Sequence, residues 1–241
     1  MSRLPILLIH GHTLDSRMWQ PQISEFGHCI APTLRGYGQS QPPEGAFSYC
    51  ADIVSNLEPE QVHLVGLSLG GNIALEMAIL HPERVASLTL LDSSLKGFTP
   101  DAAQLEIGNQ VAAAYATGGI AAAKQAWLAA PLFATTRENP VLFAQVEQWI
   151  ADYSGWHWQR GVSPSAAITD ISSRLHEVRA KTLVVVGERD TDYFQNVARY
   201  LHGNIAGAQL EVVGQAGHLV NLEQPAQTNQ LLEAHWLKAE S

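Results

Sequence analysis

Six short runs of the chain read as apolar throughout rather than alternating with polar residues: "PILLIH" (5–10), "HCIAP" (28–32), "QVHLVGL" (61–67), "SLTLLD" (87–92), "TLVVVGE" (182–188) and "QLEVVG" (209–214). Alternation marks a strand with one wet face, whereas unbroken runs mark strands covered on both faces, as in a parallel sheet. Between them the apolar spacing turns helical. "SLGGNIALEMAILHPERV" sets Ile73, Met77 and Leu80 at i, i+4 and i+7, and His81-Pro82 closes that helix because proline blocks its continuation. "EQPAQTNQLLEAHWLKA" repeats the pattern near the C-terminus, with Pro225 inside its first turn. Strand and helix in alternation predict an α/β fold, with a mainly parallel sheet of about six strands flanked by helices and joined by right-handed crossovers.

From about Gly97 to Ser163 the strand pattern stops. The stretch is rich in alanine and tryptophan and predicts several short helices, an insertion after the fourth strand run rather than a separate domain on a linker. The predicted organisation is a core of 1–96 and 164–241 interrupted by a helical insertion over 97–163.

Composition narrows the function classes. The chain of 241 residues is 46% hydrophobic and 15% charged, enough to bury a sizeable core and unlike a disordered chain. A formal charge of −9, from 14 basic and 23 acidic residues, argues against nucleic acid or an anionic membrane as partner. No apolar run is long enough to span a membrane and the N-terminus lacks a cleavage site, so a cytoplasmic location is expected. Cys29 and Cys50 stand in no metal or redox spacing and are expected to be reduced. A small-molecule substrate, no cofactor and a monomer or homodimer complete that expectation.

One pentapeptide changes the picture. Gly66-Leu67-Ser68-Leu69-Gly70 sits where the third strand run turns into a helix. A serine there stands clear of the sheet edge, and flanking glycines remove side chains that would collide with neighbouring backbone. Such a hydroxyl needs a base to become a nucleophile. Of the ten histidines, His218 lies in a Gly-containing loop after the last strand run, in reach of the same edge. Asp190, directly after the fifth strand run, is the favoured carboxylate to orient that imidazole; Asp92 and Asp192 are its competitors, while Glu188, closer to the strand, is expected to point into packing or solvent. Backbone N–H groups of Leu69 and His12 are the expected oxyanion donors, with Gly11 allowing close approach. His10 and His12 lack a third ligand at matching spacing, so no metal site is expected.

With these pieces in order, the chain resembles the α/β-hydrolase fold family over nearly all of its length except the insertion. The resemblance implies Ser68 as nucleophile, His218 as general base and acid, Asp190 as orienting carboxylate, and the "HGHT" loop with Leu69 as oxyanion hole. The insertion matches the family's helical cap, which roofs the site. Ser16 to Trp19 is similar to the family's SxxxW element, a packing feature. "LRGYGQS" (34–40) resembles the loop after the second parallel strand, although Thr33 stands where an aspartate is common and leaves Arg35 in want of a partner. Family members usually carry two antiparallel strands first; this chain starts almost at the "HG" strand, which predicts a trimmed sheet.

The leading expectation is hydrolysis of a small carboxylic ester, thioester or lactone through an acyl-enzyme on Ser68. Trp127, Trp149, Trp156 and Trp158 with Phe133 and Phe143 offer an apolar pocket, with Trp156, Trp158 and Leu219 as candidate substrate contacts. One alternative is a lyase resembling the pyruvate-eliminating enzyme of menaquinone synthesis, which needs cations for an anionic substrate; the insertion offers Lys124, Arg137 and Arg160. Carbon–carbon bond hydrolysis is another. A third is a ligand receptor on the same fold that turns over slowly or not at all.

Overall fold

The computed structural model describes residues 4–240. Each of the six apolar runs overlaps a strand: β1 (Ile6–Ile9), β2 (Cys29–Ile30), β3 (Val62–Leu67), β4 (Val85–Leu91), β5 (Lys181–Gly187) and β6 (Gln209–Val213). They form one all-parallel sheet in the order β2-β1-β3-β4-β5-β6. Nearly every residue of β1, β3, β4 and β5 is buried, which is why those runs do not alternate. The edge strands differ. β2 has only two residues, and β6, an edge strand among the described residues, leaves Val212 56% exposed.

The helices are α1 (Gln20–Phe26), α2 (Tyr49–Asn56), α3 (Leu69–Leu80), α4 (Ala102–Leu128), α5 (Ala134–Arg137), α6 (Pro140–Asp152), α7 (Trp156–Arg160), α8 (Asp192–Asn204), α9 (Val220–Glu223) and α10 (Pro225–Glu240). Two apolar clusters fill the core. One gathers Leu7, Leu64, Ile73, Leu88 and Leu201, the other Ile6, Leu8, Val65, Val185 and Trp236. Residues adjacent along β1 enter different clusters, as the period of two requires. Burial of each such side chain is worth roughly 1.5–3 kcal/mol.

The helix after Ser68 departs from its expected one-sided pattern. Every residue of α3 from Leu69 to Ile79 is buried, and only Leu80 emerges. The cause is its position: α3 packs on β1, β3 and β4 and is itself covered by α2. A helix covered all round has no polar face to keep. Between β4 and β5 the chain is helical, α4 to α7, and α4 is broken at Gly119. No helix among the described residues is long and apolar enough to cross a membrane.

Candidate active site

Because the strands are parallel and in register, the residues that follow them collect along one sheet edge. Ile9 lies opposite Gly66, and Leu67 opposite Leu91. His10, Ser68, Asp92 and the loop carrying Asp190 therefore leave the sheet side by side, the position where open α/β sheets bind ligands.

Ser68 links β3 to α3 with φ 55° and ψ −113°, a left-handed conformation that costs a non-glycine residue energy. The surroundings hold it there. Its N–H donates to the Leu91 carbonyl at 2.9 Å, and its own carbonyl accepts from the N–H groups of Asn72 and Ser94 at 3.2 and 3.1 Å. The glycines expected on either side prove sterically necessary. A Cβ on Gly66 would collide with the Gly70 carbonyl, and one on Gly70 with the carbonyl of Ile9. Ser68 Oγ makes no hydrogen bond within the described protein, and the residue lines a cavity of about 670 Å³ shared with His12, Leu69 and His218.

The His218 ring meets the Asp190 carboxylate, Nδ1 to Oδ2, at 2.9 Å. Asp190 Oδ1 accepts the Thr191 N–H at 2.7 Å, which orients the carboxylate in turn. An Nδ1–H held by a carboxylate leaves the Nε2 lone pair of His218 unprotonated, the state a general base requires. Phe194, on the first turn of α8, packs on the ring at 4.0 Å between centroids. The backbone N–H groups of His12 and Leu69 have no acceptor among the described residues, and both residues border the same cavity. A strained serine, a carboxylate-bound imidazole and two free N–H groups thus share one enclosure.

A family model described as "Alpha/beta hydrolase family" matches residues 6–231. The chain belongs to the alpha/beta hydrolase family. It is 29% identical to a 2-hydroxymuconate semialdehyde hydrolase of Pseudomonas sp. (strain CF600), over 92% of this chain and 83% of the relative. It is 27% identical to carboxylesterase YbfK of Bacillus subtilis (strain 168), over 93% and 77%. Among solved structures it is similar to Est816, described as an N-acyl homoserine lactone degrading enzyme, with a TM-score of 0.79 and 29% identity over 96% of this chain and 92% of that one. The protein is an enzyme of this hydrolase family.

Other expected residues of this alpha/beta hydrolase fall into place or out of it. Trp158 and Leu219 line the cavity; Trp156 does not. Residues two apart on a helix point about 200° apart, so α7 turns Trp158 inward and lays Trp156 against Gly36, with Arg160 stacked over it. Trp127 and Phe133 line the cavity, while Trp149, partly buried, packs against the second apolar cluster. His10 is a positioning residue. Its Nδ1–H donates to the Gly11 carbonyl at 2.8 Å, and its Nε2 accepts the Leu34 N–H at 3.0 Å, tying β1 to the loop after β2. Burial pushes its imidazole down to about 4. Arg35 pairs with Asp52 at 3.2 Å, and Thr33 instead exchanges hydrogen bonds with Ser16.

Asp92, the competitor of Asp190, is fully buried behind it. Its oxygens accept the N–H groups of Gly187 and Val220 at 2.8 and 3.3 Å, and no oxygen of it bonds the His218 ring. Burial, with the Asp190 charge beside it, raises its pKa well above the usual carboxylate range.

Two features escaped the sequence reading. Glu223 on α9 accepts the Gly217 N–H at 2.5 Å and the Thr135 and Thr136 hydroxyls, joining the His218 loop to α5. Tyr37 and Tyr49 form a buried polar cluster with Tyr153 and His157 of the 97–163 stretch. Nothing in local spacing signals either, because their members come from distant segments.

Proposed function

We propose that the protein is a serine hydrolase that cleaves a small carboxylic ester, thioester or lactone through an acyl-enzyme on Ser68. Ser68 Oγ attacks the acyl carbonyl while His218 Nε2 takes its proton. The carbonyl electron pair moves onto oxygen and is met by the N–H groups of His12 and Leu69. His218 then returns the proton to the leaving alkoxide or thiolate as the bond to it breaks. Water repeats the sequence on the acyl-enzyme, giving its proton to His218 and its oxygen to the acid product. Asp190 keeps the imidazole in one tautomer and stabilises the imidazolium. The helices of 97–163 act as a cap over the cavity, and Trp158 and Leu219 contact substrate.

The observation that carries this reading is the His218–Asp190 hydrogen bond at the wall of the cavity on which Ser68 opens. The esterase and lactone-degrading names of similar proteins support it. The lyase alternative needs a cation in the site. Lys124 instead binds the Ala151 carbonyl and Arg137 those of Leu128 and Ala130, while Arg160 covers Trp156 outside the cavity. The test is labelling with a fluorophosphonate followed by peptide mapping. Label on the Ser68 peptide, together with p-nitrophenyl ester turnover abolished in Ser68→Ala, is the expected result. Unchanged turnover in that variant would end the proposal.

A further inference from the structure

The His12 side chain lies at the mouth of the oxyanion loop. A Cβ on its neighbour Gly11 would sit 3.6 Å from Ser68 Cβ, so the loop runs directly past the nucleophile. The ring lines the cavity and is caged edge-on by Tyr37, Trp127, Tyr153, His157 and Trp158, at centroid separations of 5.5 to 5.9 Å. Its Nδ1 is bonded to the Tyr37 hydroxyl at 2.9 Å. Its Nε2 has no partner among the described residues and is not among the atoms sealed from solvent.

Which ring nitrogen carries the proton follows from the buried cluster behind it. The Tyr153 hydroxyl accepts the backbone N–H of His157 at 3.3 Å and is bonded to His157 Nδ1 at 2.8 Å. His157 Nε2 is bonded to the Tyr49 hydroxyl at 3.0 Å. Tyr37 is 0% exposed, and its hydroxyl is within hydrogen-bond distance of His12 Nδ1. With Tyr37 as donor its buried O–H has an acceptor, and the proton of the neutral His12 ring sits on Nε2, facing the cavity. With His12 Nδ1–H as donor the Tyr37 O–H would have no acceptor in hydrogen-bond geometry among the described residues. A buried donor left unmet is costly, so Tyr37 donates. The His12 ring is also uncharged at neutral pH: burial, with His157 and His10 beside it, holds its pKa well below the usual value.

The rest of the enclosure is uncharged as well. No Lys, Arg, Asp or Glu side chain lines the cavity among the described residues. An anionic substituent there would lose hydration without gaining a counter-charge.

We propose that the His12 Nε2–H is a neutral hydrogen-bond donor beside Ser68 that selects uncharged acyl substrates carrying a second acceptor oxygen, such as a keto or ether oxygen, in the acyl chain. This deepens, and rests on, the reading of Ser68 as an acylated nucleophile. The donor is distinct from the backbone N–H of the same residue, which serves the reacting carbonyl.

Three p-nitrophenyl esters test it: the hexanoate, the 5-oxohexanoate and the glutarate monoester, in which an ionised oxygen replaces the terminal methyl of the oxohexanoate. The wild-type enzyme is expected to favour the oxohexanoate over the glutarate by at least ~100-fold in kcat/KM. His12→Phe is expected to lower the ratio of oxohexanoate to hexanoate about tenfold, the equivalent of one neutral hydrogen bond, whatever it does to each rate. His12→Gln, with an amide N–H at similar reach, should recover part of that ratio. A second measurement needs no variant to fold: ¹⁵N histidine spectra of the wild-type protein at neutral pH should show a His12 ring with Nε2 protonated and Nδ1 bare. Equal turnover of the glutarate ester, an unchanged ratio in His12→Phe, or the opposite tautomer overturns the inference. Fluorophosphonate labelling separates the two failures. If Ser68 labels and the ratios do not move, only the role of His12 falls; if Ser68 does not label, the nucleophile reading falls first.

Discussion

At the scale of single residues, two carboxylates separated by a few ångströms have different tasks because their partners differ. Asp190 faces the imidazole and Asp92 faces backbone N–H groups, although both follow strands at the same sheet edge. Asp190→Asn is expected to lower kcat by roughly 10³–10⁴, since an amide holds the imidazole in the wrong tautomer. Asp92→Asn should leave kcat within about tenfold, because Asp92 makes no bond to the His218 ring and holds backbone N–H groups instead. Measuring kcat for the two variants on one ester checks the assignment; equal losses would contradict it. The sequence order favoured Asp190 over Asp92 but could not exclude the latter, since both fit the same pattern of strand followed by acid. Ser68 and its glycines were fully legible, for they lie within five consecutive residues whose conflict with neighbouring backbone is local.

Between elements, the site depends on a junction that no local pattern announces. Glu223 ties the N–H of Gly217, next to His218, to two threonines of the inserted helices. Glu223→Ala leaves three donors without this acceptor, at a cost of about 1–3 kcal/mol for each that stays dry. The expected outcome is a lower thermal midpoint together with a fall in kcat larger than any change in KM, because the His218 loop loses its anchor. Steady-state kinetics and a melting curve on the same preparation check this, and an unaltered kcat would show that the loop stands without it. Strands were legible for a related reason: an unbroken apolar run reports burial on both faces, and burial is a property of the strand's place in the sheet. The edges were less so. β2 shrinks to two residues and β6 stays exposed, since an edge depends on which neighbours are present. The sequence also grouped Trp156 with Trp158, and only the direction of one helical turn separates them.

For the whole molecule, the buried histidines make stability depend on pH. Burial pushes the His10 and His157 imidazoles down to about 4, from an ordinary value of 6.5. The unfolded chain therefore takes up these protons first as pH falls. The stability they allow is complete above 6.5 and is lost towards 4, by about 3 kcal/mol for each ring. Burial holds His12, His63 and His235 below the ordinary value too, which adds in the same direction. Asp92, raised above 3.8, opposes them as a single group. Thermal midpoints should be level above about pH 7 and fall steadily between 6.5 and 4; a level profile through that window would contradict the buried, neutral state of these rings. Hydrophobic rhythm and glycine sterics are carried by neighbouring positions, and Ser68, Asp190 and His218 each follow a strand run in the order that the family resemblance implies, so parallel strands, the serine turn and the candidate trio could be read along the chain. The cavity without charge, the Tyr37–His12 hydrogen bond and the employment of Lys124 and Arg137 on carbonyl groups could not, because each is set by groups that meet only when the chain is folded.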